Sequence, residues 1–172
     1  MKKCLLLLVS IFFLYGCPPD DDDPGIDRFI PGALTAKIDG VLNDFESDQI
    51  ASNGQSTLPD NQTFDSFFIS AQNGEFSAEI SIDLVPFNGT GTYPLSSPTE
   101  GDTFSYARLD TFPPGGGLVT SYGTSEENTG VVNITFYDGV NIRGTFSFIA
   151  GNFDSGDTVN ITEGTIDLQV QN

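Results

Sequence analysis

The chain has no histidine and no tryptophan, only two cysteines, and six basic residues against 24 acidic ones in 172. Each shortage closes off some chemistry. Without histidine there is no Ser-His-Asp or Cys-His catalysis, and the usual zinc ligand sets are missing. Nucleic-acid binding needs clustered lysine and arginine to displace counterions. So few cations on so acidic a chain repel a polyphosphate, which sets nucleic acid aside as a partner. Without tryptophan, a sugar-stacking platform has to come from Tyr93, Tyr106, Tyr122 or Tyr137, and an aromatic on a strand more often packs a core or a neighbouring strand. No cofactor and no metal are expected.

The two cysteines point to a location rather than to a disulfide. Lys2 and Lys3 precede an apolar run from Leu5 to Leu14, about half the roughly 20 residues a transmembrane helix needs. Residues 1–16 therefore have the layout of a secretory signal peptide. The stretch Leu14-Tyr15-Gly16-Cys17 resembles the bacterial lipobox, which implies diacylglyceryl transfer to the Cys17 thiol and acylation such as palmitate. Cys4 leaves with the signal peptide, so the mature chain holds no disulfide. Each buried methylene is worth about 0.8 kcal/mol, and two or more acyl chains give lasting attachment where one gives little. The membrane is thus the expected partner, reached through the lipid.

Four consecutive aspartates, Asp20, Asp21, Asp22 and Asp23, follow within a Pro-rich stretch. Like charges repel and proline stiffens, so residues 17–32 form an acidic tether on any reading. The run also resembles the short acidic export tag of Bacteroidetes-type lipoproteins, which implies an outer-membrane protein facing the cell exterior. Four adjacent flexible aspartates do not supply the six to eight shaped oxygens of a calcium site. Removing residues 1–16 takes two of the six basic residues and none of the 24 acidic ones, leaving a net charge of −20 and Arg28, Lys37, Arg108 and Arg143 as the only cations.

Residues 33–172 read as one all-β domain of eight to ten antiparallel strands, with no helix after residue 16. Abundant phenylalanine and scarce lysine and alanine favour strands. From Glu75 to Leu84, Phe76, Ala78, Ile80, Ile82 and Leu84 alternate with polar residues, which makes one face dry and the other wet. Leu34, Ala36 and Ile38 do the same, as do Val132, Ile134 and Phe136, and then Ile142, Phe146 and Phe148 beyond a hairpin at Asp138-Gly139. Parity changes between Ile161 and Ile166, which predicts a bulge or bend at Gly164. Further turns are expected at Asn53-Gly54, Asn73-Gly74, Asn88-Gly89 and Pro113 to Gly117. A β-sandwich and an up-and-down, calycin-like barrel both give this pattern.

One strand is apolar on both faces: Phe67, Ile69 and Ala71 share one, Phe64 and Phe68 the other. Phe64 and Phe68 either lie under a loop or form a ligand-facing apolar patch. Several pieces, TAKIDG at 35–40, NITFYD at 133–138, GTFSF at 144–148 and ITEGTIDL at 161–168, resemble the small all-β surface lipoproteins of unknown function of Bacteroidetes-type genomes. That resemblance rests on turn glycines and core aromatics. It implies a location and a fold class, and it assigns no catalytic residue.

Carboxylates are the remaining catalytic option, since a glycosidase needs two of them roughly 5–10 Å apart. Glu75 and Glu79, or Glu79 and Asp83, share a strand face but stand about 13 Å apart; a cross-strand pair stays open. Asp154 and Asp157 lie in a turn-like loop without the oxygen count of an EF-hand, and Lys37 sits on a wet face without a nearby serine signature. The expected protein is a surface-anchored lipoprotein with a non-catalytic binding or interaction domain. The alternatives are a structural envelope protein and, last, a carboxylate-dependent glycan hydrolase.

Overall fold

Alternating apolar and polar residues run through eleven strands. The structure is a computed structural model describing residues 32–57, 61–74, 77–96, 105–115 and 117–171. The strands are β1 (Ala33–Ile38), β2 (Val41–Phe45), β3 (Ser47–Thr57), β4 (Thr63–Gln72), β5 (Ala78–Leu84), β6 (Gly91–Leu95), β7 (Tyr106–Thr111), β8 (Thr120–Gly123), β9 (Gly130–Tyr137), β10 (Asn141–Gly151) and β11 (Thr158–Gln169). No helix occurs among the described residues.

The sheet runs β2-β1-β11-β10-β8-β7-β5-β4-β3, with β9 also on β10 and β6 on β9. Its two terminal strands, β2 and β3, are separated in sequence by Glu46 alone. A sheet whose opposite ends are one stretch of chain has to curl back on itself, so this antiparallel sheet nearly closes into a barrel. The seam is tightened where the Gln171 amide N–H donates to the Ala51 carbonyl at 2.7 Å and the Gln171 side chain donates to the Gln49 carbonyl at 2.9 Å. The sequence pattern falls short of eleven strands because the bend at Glu46 divides one run and because β6 and β8 are only five and four residues long.

The inward positions fill the interior. Leu34, Phe45, Phe67, Ile69, Ile80, Ile82, Leu84, Leu109, Ile134, Ile142 and Ile161 are essentially inaccessible. At one end four rings meet: Phe67 lies 4.7 Å from Phe87 and stands edge-on to Tyr137 at 5.7 Å, while Phe87 stacks on Tyr93. Tyr137 closes this cluster by donating its hydroxyl to Asn53 Oδ1 at 2.7 Å.

Bulges decide which face each side chain takes. In β11 the register slips opposite Phe146 and Phe148, and the left-handed backbone belongs to Glu163 (φ 50°) rather than to Gly164. Gly164 points inward, where a Cβ would sit 2.6 Å from the Phe146 ring; its role is to admit that ring, and the parity change expected there is made one residue earlier. A second slip in β9, between Ile134 and Phe136, sends Phe136 outward and Tyr137 inward. Phe136 therefore leaves the face expected for it and lies under the Arg143 guanidinium, 5.1 Å from its ring centroid.

The turns follow side-chain chemistry with two corrections. Asn53-Gly54 forms no turn and lies inside β3, paired with Phe67 and Ser66. A two-residue turn instead closes β1 and β2 at Asp39-Gly40, with φ of 48° and 84°, positive at both positions as a type I′ turn requires. At Asp138-Gly139 the hairpin stands where expected. The Asn141 and Val140 amides donate to the Asp138 carboxylate at 2.7 and 2.9 Å, which holds its carboxyl below the usual carboxylate range.

The three Asn-Gly steps differ in chemical exposure. Deamidation requires the glycine nitrogen to attack the asparagine side-chain carbonyl carbon and expel ammonia, so a side chain held by hydrogen bonds is protected. Asn73 Oδ1 accepts from the Ser77 and Ala78 amides, and Asn53 Oδ1 accepts from Tyr137. The Asn88 side chain is exposed and makes no such bond among the described residues. On storage at mildly alkaline pH, peptide mapping should find the one-dalton gain first at Asn88.

Candidate functional site

The expected lipidation residue Cys17 and the expected export tag, Asp20, Asp21, Asp22 and Asp23, lie outside the described residues, as do Arg28, Glu75 and Phe76. Phe64 and Phe68 are described, and both point outward from β4, half-buried, because Phe67 and Ile69 take the inward positions. Register extends this face across β5, β7 and β8. Phe68 opposes Asp83, and Asp83 opposes Tyr106. Ser70, Ser81, Arg108 and Gly123 form the next row, and Gln72, Glu79, Asp110 and Ser121 the one after.

The last two rows are knitted together. Ser70 donates to Glu79 at 2.7 Å, and Gln72 and Ser81 donate to the same carboxylate. Arg108 bridges Asp110 at 2.6 Å, and the Ser121 hydroxyl donates to the other Asp110 oxygen at 2.5 Å. Asp110 is only 5% exposed, so these bonds replace the water it has lost. Glu79 and Asp110 are direct cross-strand partners, the juxtaposition the sequence left open. Each carboxylate is already committed to its own donors, and a group so held is poorly placed to act as acid or base.

Asp83 differs. Among the described residues it accepts no hydrogen bond, and burial raises its pKa, with the Arg108 charge partly opposing. Tyr106 beside it is raised by the same burial, opposed by the same arginine. Its hydroxyl lies over Gly123 beside the Phe153 ring, where a Cβ on Gly123 would stand 3.0 Å from the hydroxyl and 3.4 Å from that ring. Phe153 itself is 76% exposed.

Of the four tyrosines named from the sequence, Tyr93, Tyr122 and Tyr137 pack in or against the core. Tyr106 is the one on the outer wall. Nothing in the sequence marks Asp83 or Phe153 as ligand-facing; strand order brings Asp83 beside Phe68 and Tyr106, and the loop after β10 brings Phe153 to Gly123 near the Tyr106 hydroxyl.

Two further cations have carboxylate partners, although one oxygen of the second carboxylate, Asp167 Oδ2, is buried with no hydrogen-bond partner among the described residues. Lys37 pairs with Glu163 at 2.7 Å across β1 and β11, and Arg143 with Asp167 at 3.3 Å. In the loop holding Asp154 and Asp157, Asn152 accepts from the Asp154 and Ser155 amides and Ser155 donates to Asp157, a turn stabilised by its own side chains. Among the described residues no group of three or more acids, histidines or cysteines is placed to hold a metal.

No curated protein and no solved structure matches the chain. A family model described as a domain of unknown function (DUF6252) matches residues 33–167, from the first residue of β1 to near the end of β11, and the chain belongs to that family.

Proposed function

We propose that this protein is a lipid-anchored binding domain of the outer membrane, held at the cell exterior through Cys17 and the acidic tether of residues 17–32. It contacts its partner through the outer face of β4, β5 and β7. The observation that carries the reading is the outward placement of Phe64, Phe68 and Tyr106 on one wall. Inward positions are packed with side chains, so a ligand is better served by this wall than by the barrel interior. Outward aromatics cost exposure to water unless something covers them, and grouped on one wall they suit a contact surface. The lipobox-like Leu14 to Cys17 and the run Asp20, Asp21, Asp22 and Asp23 supply the address.

Two measurements test it. Mass spectrometry of the isolated protein should find Cys17 as the N-terminal residue carrying acyl chains, and protease added to intact cells should cleave the domain. Replacing all four aspartates of the run by alanine should abolish that cleavage. A photo-crosslinking residue at position 68 should then give a discrete adduct on intact cells, and one at Val131, elsewhere on the barrel wall, should give none. A free thiol at Cys17, or equal crosslinking at both positions, contradicts the reading.

A further inference from the structure

We propose that the cleft between the β8–β9 and β10–β11 loops is a carbohydrate site, in which a neutral sugar ring stacks on Phe153. The site is built on other elements than the outer face of β4, β5 and β7, and it goes beyond the function proposed above.

Two short loops give the cleft its shape. Gly123, the last residue of β8, pairs with Gly151, the last of β10, and this sets residues 124–129 beside residues 152–157. Each loop is held by its own bonds. The Ser125 amide donates to the Asn128 carbonyl at 2.7 Å and the Asn128 amide to Ser125 Oγ at 3.0 Å. On the other side the Asn152 amide donates to the Asp157 carbonyl at 2.8 Å and the Asn152 side chain to the Ser121 carbonyl at 3.0 Å. Gly151 lets the two approach, since a Cβ there would stand 2.5 Å from Asn128 Nδ2. The cleft between them has a volume of about 470 Å³, within the range of small-molecule sites. Because its walls are already bonded in place, a ligand has little loop ordering to supply.

Phe153 lines this cleft and is 76% exposed. Gly123 seats one edge of the ring, where a Cβ would meet its Cε2 at 3.4 Å. The rest of the ring is open to water. Covering it with an apolar surface is favourable, and the C–H face of a sugar is a flat surface of that kind.

The polar groups around the ring decide the class of ligand. Among the described residues Asn128 Oδ1, the Glu127 carboxylate and the Thr158 hydroxyl have no hydrogen-bond partner, and the Ser125 hydroxyl accepts from Asn128 while its own proton is free to donate. Acceptors and donors are therefore mixed. An ammonium or guanidinium offers donors alone and leaves both hydroxyl protons unused. A phosphate or acidic sugar offers acceptors and meets Glu126 and Glu127 at the rim. Sugar hydroxyls donate and accept, so a neutral sugar answers both kinds of group while its C–H face covers the ring.

The test uses the full chain, kept in a detergent without a sugar headgroup and applied to an array of neutral oligosaccharides, acidic oligosaccharides and spermidine. At least one neutral oligosaccharide should be retained. Phe153→Ala should weaken that retention about tenfold without lowering the melting temperature, and Phe153→Tyr should preserve it. Leu118→Ala removes an apolar side chain that is still more exposed, on another loop, and should leave retention unchanged. Glu127→Gln keeps an acceptor oxygen and loses the charge, so it should change retention of the neutral sugar by less than about threefold. With the retained sugar added, NMR amide resonances of residues 125–128 and 151–158 should move. Retention of no neutral oligosaccharide, or retention that survives Phe153→Ala, overturns the proposal. If spermidine or an acidic oligosaccharide shows the Phe153 dependence and no neutral sugar does, the cleft takes an ion and the carbohydrate assignment falls. None of these outcomes bears on the crosslinking at position 68, which tests the other face.

Discussion

Phe67→Ala is expected to cost the domain about 3–5 kcal/mol, the usual range for truncating a buried phenylalanine. Phe67 is fully buried and centres the ring cluster, touching Phe87 at 4.7 Å and Tyr137 at 5.7 Å. Relaxation has little room here. Phe87 is pinned by its amide, which donates to the Asp65 carbonyl at 2.7 Å, and Tyr137 is held to Asn53 through its hydroxyl. Neighbours tethered in this way cannot collapse into the space left behind, so the loss belongs near the top of the range. For a domain of this size that is roughly 10–20 °C in melting temperature. The neighbouring outward residue provides the contrast: Phe68→Ala should change stability by less than about 1 kcal/mol while weakening the proposed contact. A calorimetric scan of the two variants side by side checks both statements.

Gly144→Ala is the second large effect, and it comes from added rather than removed atoms. A Cβ at Gly144 would lie 2.5 Å from the Asn133 carbonyl oxygen and 3.2 Å from the Ile134 Cα. Both are backbone atoms of β9, paired to β10 at this point, so neither can rotate aside. One strand must move off the other, breaking ladder hydrogen bonds next to the β9 bulge. We expect about 3 kcal/mol, the upper part of the range for overpacking. Gly164→Ala should cost less, because the obstacle there is the Phe146 side chain, which can tilt. Urea denaturation of both variants should place Gly144→Ala below Gly164→Ala in midpoint; the reverse order would mean that β9 yields more easily than its pairing suggests.

These two glycines also show where a sequence reading falls short. In GTFSF and ITEGTIDL the glycines look like turn residues, because turns are where glycine most often stands. Gly144 and Gly164 lie instead in mid-strand, one against the backbone of the paired strand β9 and one beneath a ring. The same limitation moves Phe136. Strict alternation puts it beside Val132 and Ile134, and one bulge residue in β9 turns it outward. A bulge changes the pairing count between two strands, and periodicity within one strand does not record its partner's count.

Within a strand, alternation is a sufficient guide wherever one face is dry. Leu34 and Ala36, Ile80 and Ile82, Val132 and Ile134, and Ile142, Phe146 and Phe148 all point into the barrel, because burying an apolar side chain is worth more than any competing preference at those positions. Parity alone singles out Phe64 and Phe68, and they are on the outer face. Their companions were not legible. Asp83 and Tyr106 reach Phe68 through the pairing of β4 with β5 and of β5 with β7, across chain separations of 15 and 38 residues that no motif spans.

The residue types this protein is without, its acidity, its strand-forming alternation and the two-sided apolar character of β4 are all legible in the chain, since each is a property of residue types and of period two along one strand. Tertiary pairing settled that the sheet curls nearly shut, that Tyr106 faces outward while Tyr93 and Tyr137 face in, and that Glu79 and Asp110 are supplied with donors while Asp83 accepts no hydrogen bond among the described residues. Those outcomes depend on which strands become neighbours and where one slips against the next. Such choices are made by the summed packing of the whole core and leave no mark in any short stretch of chain.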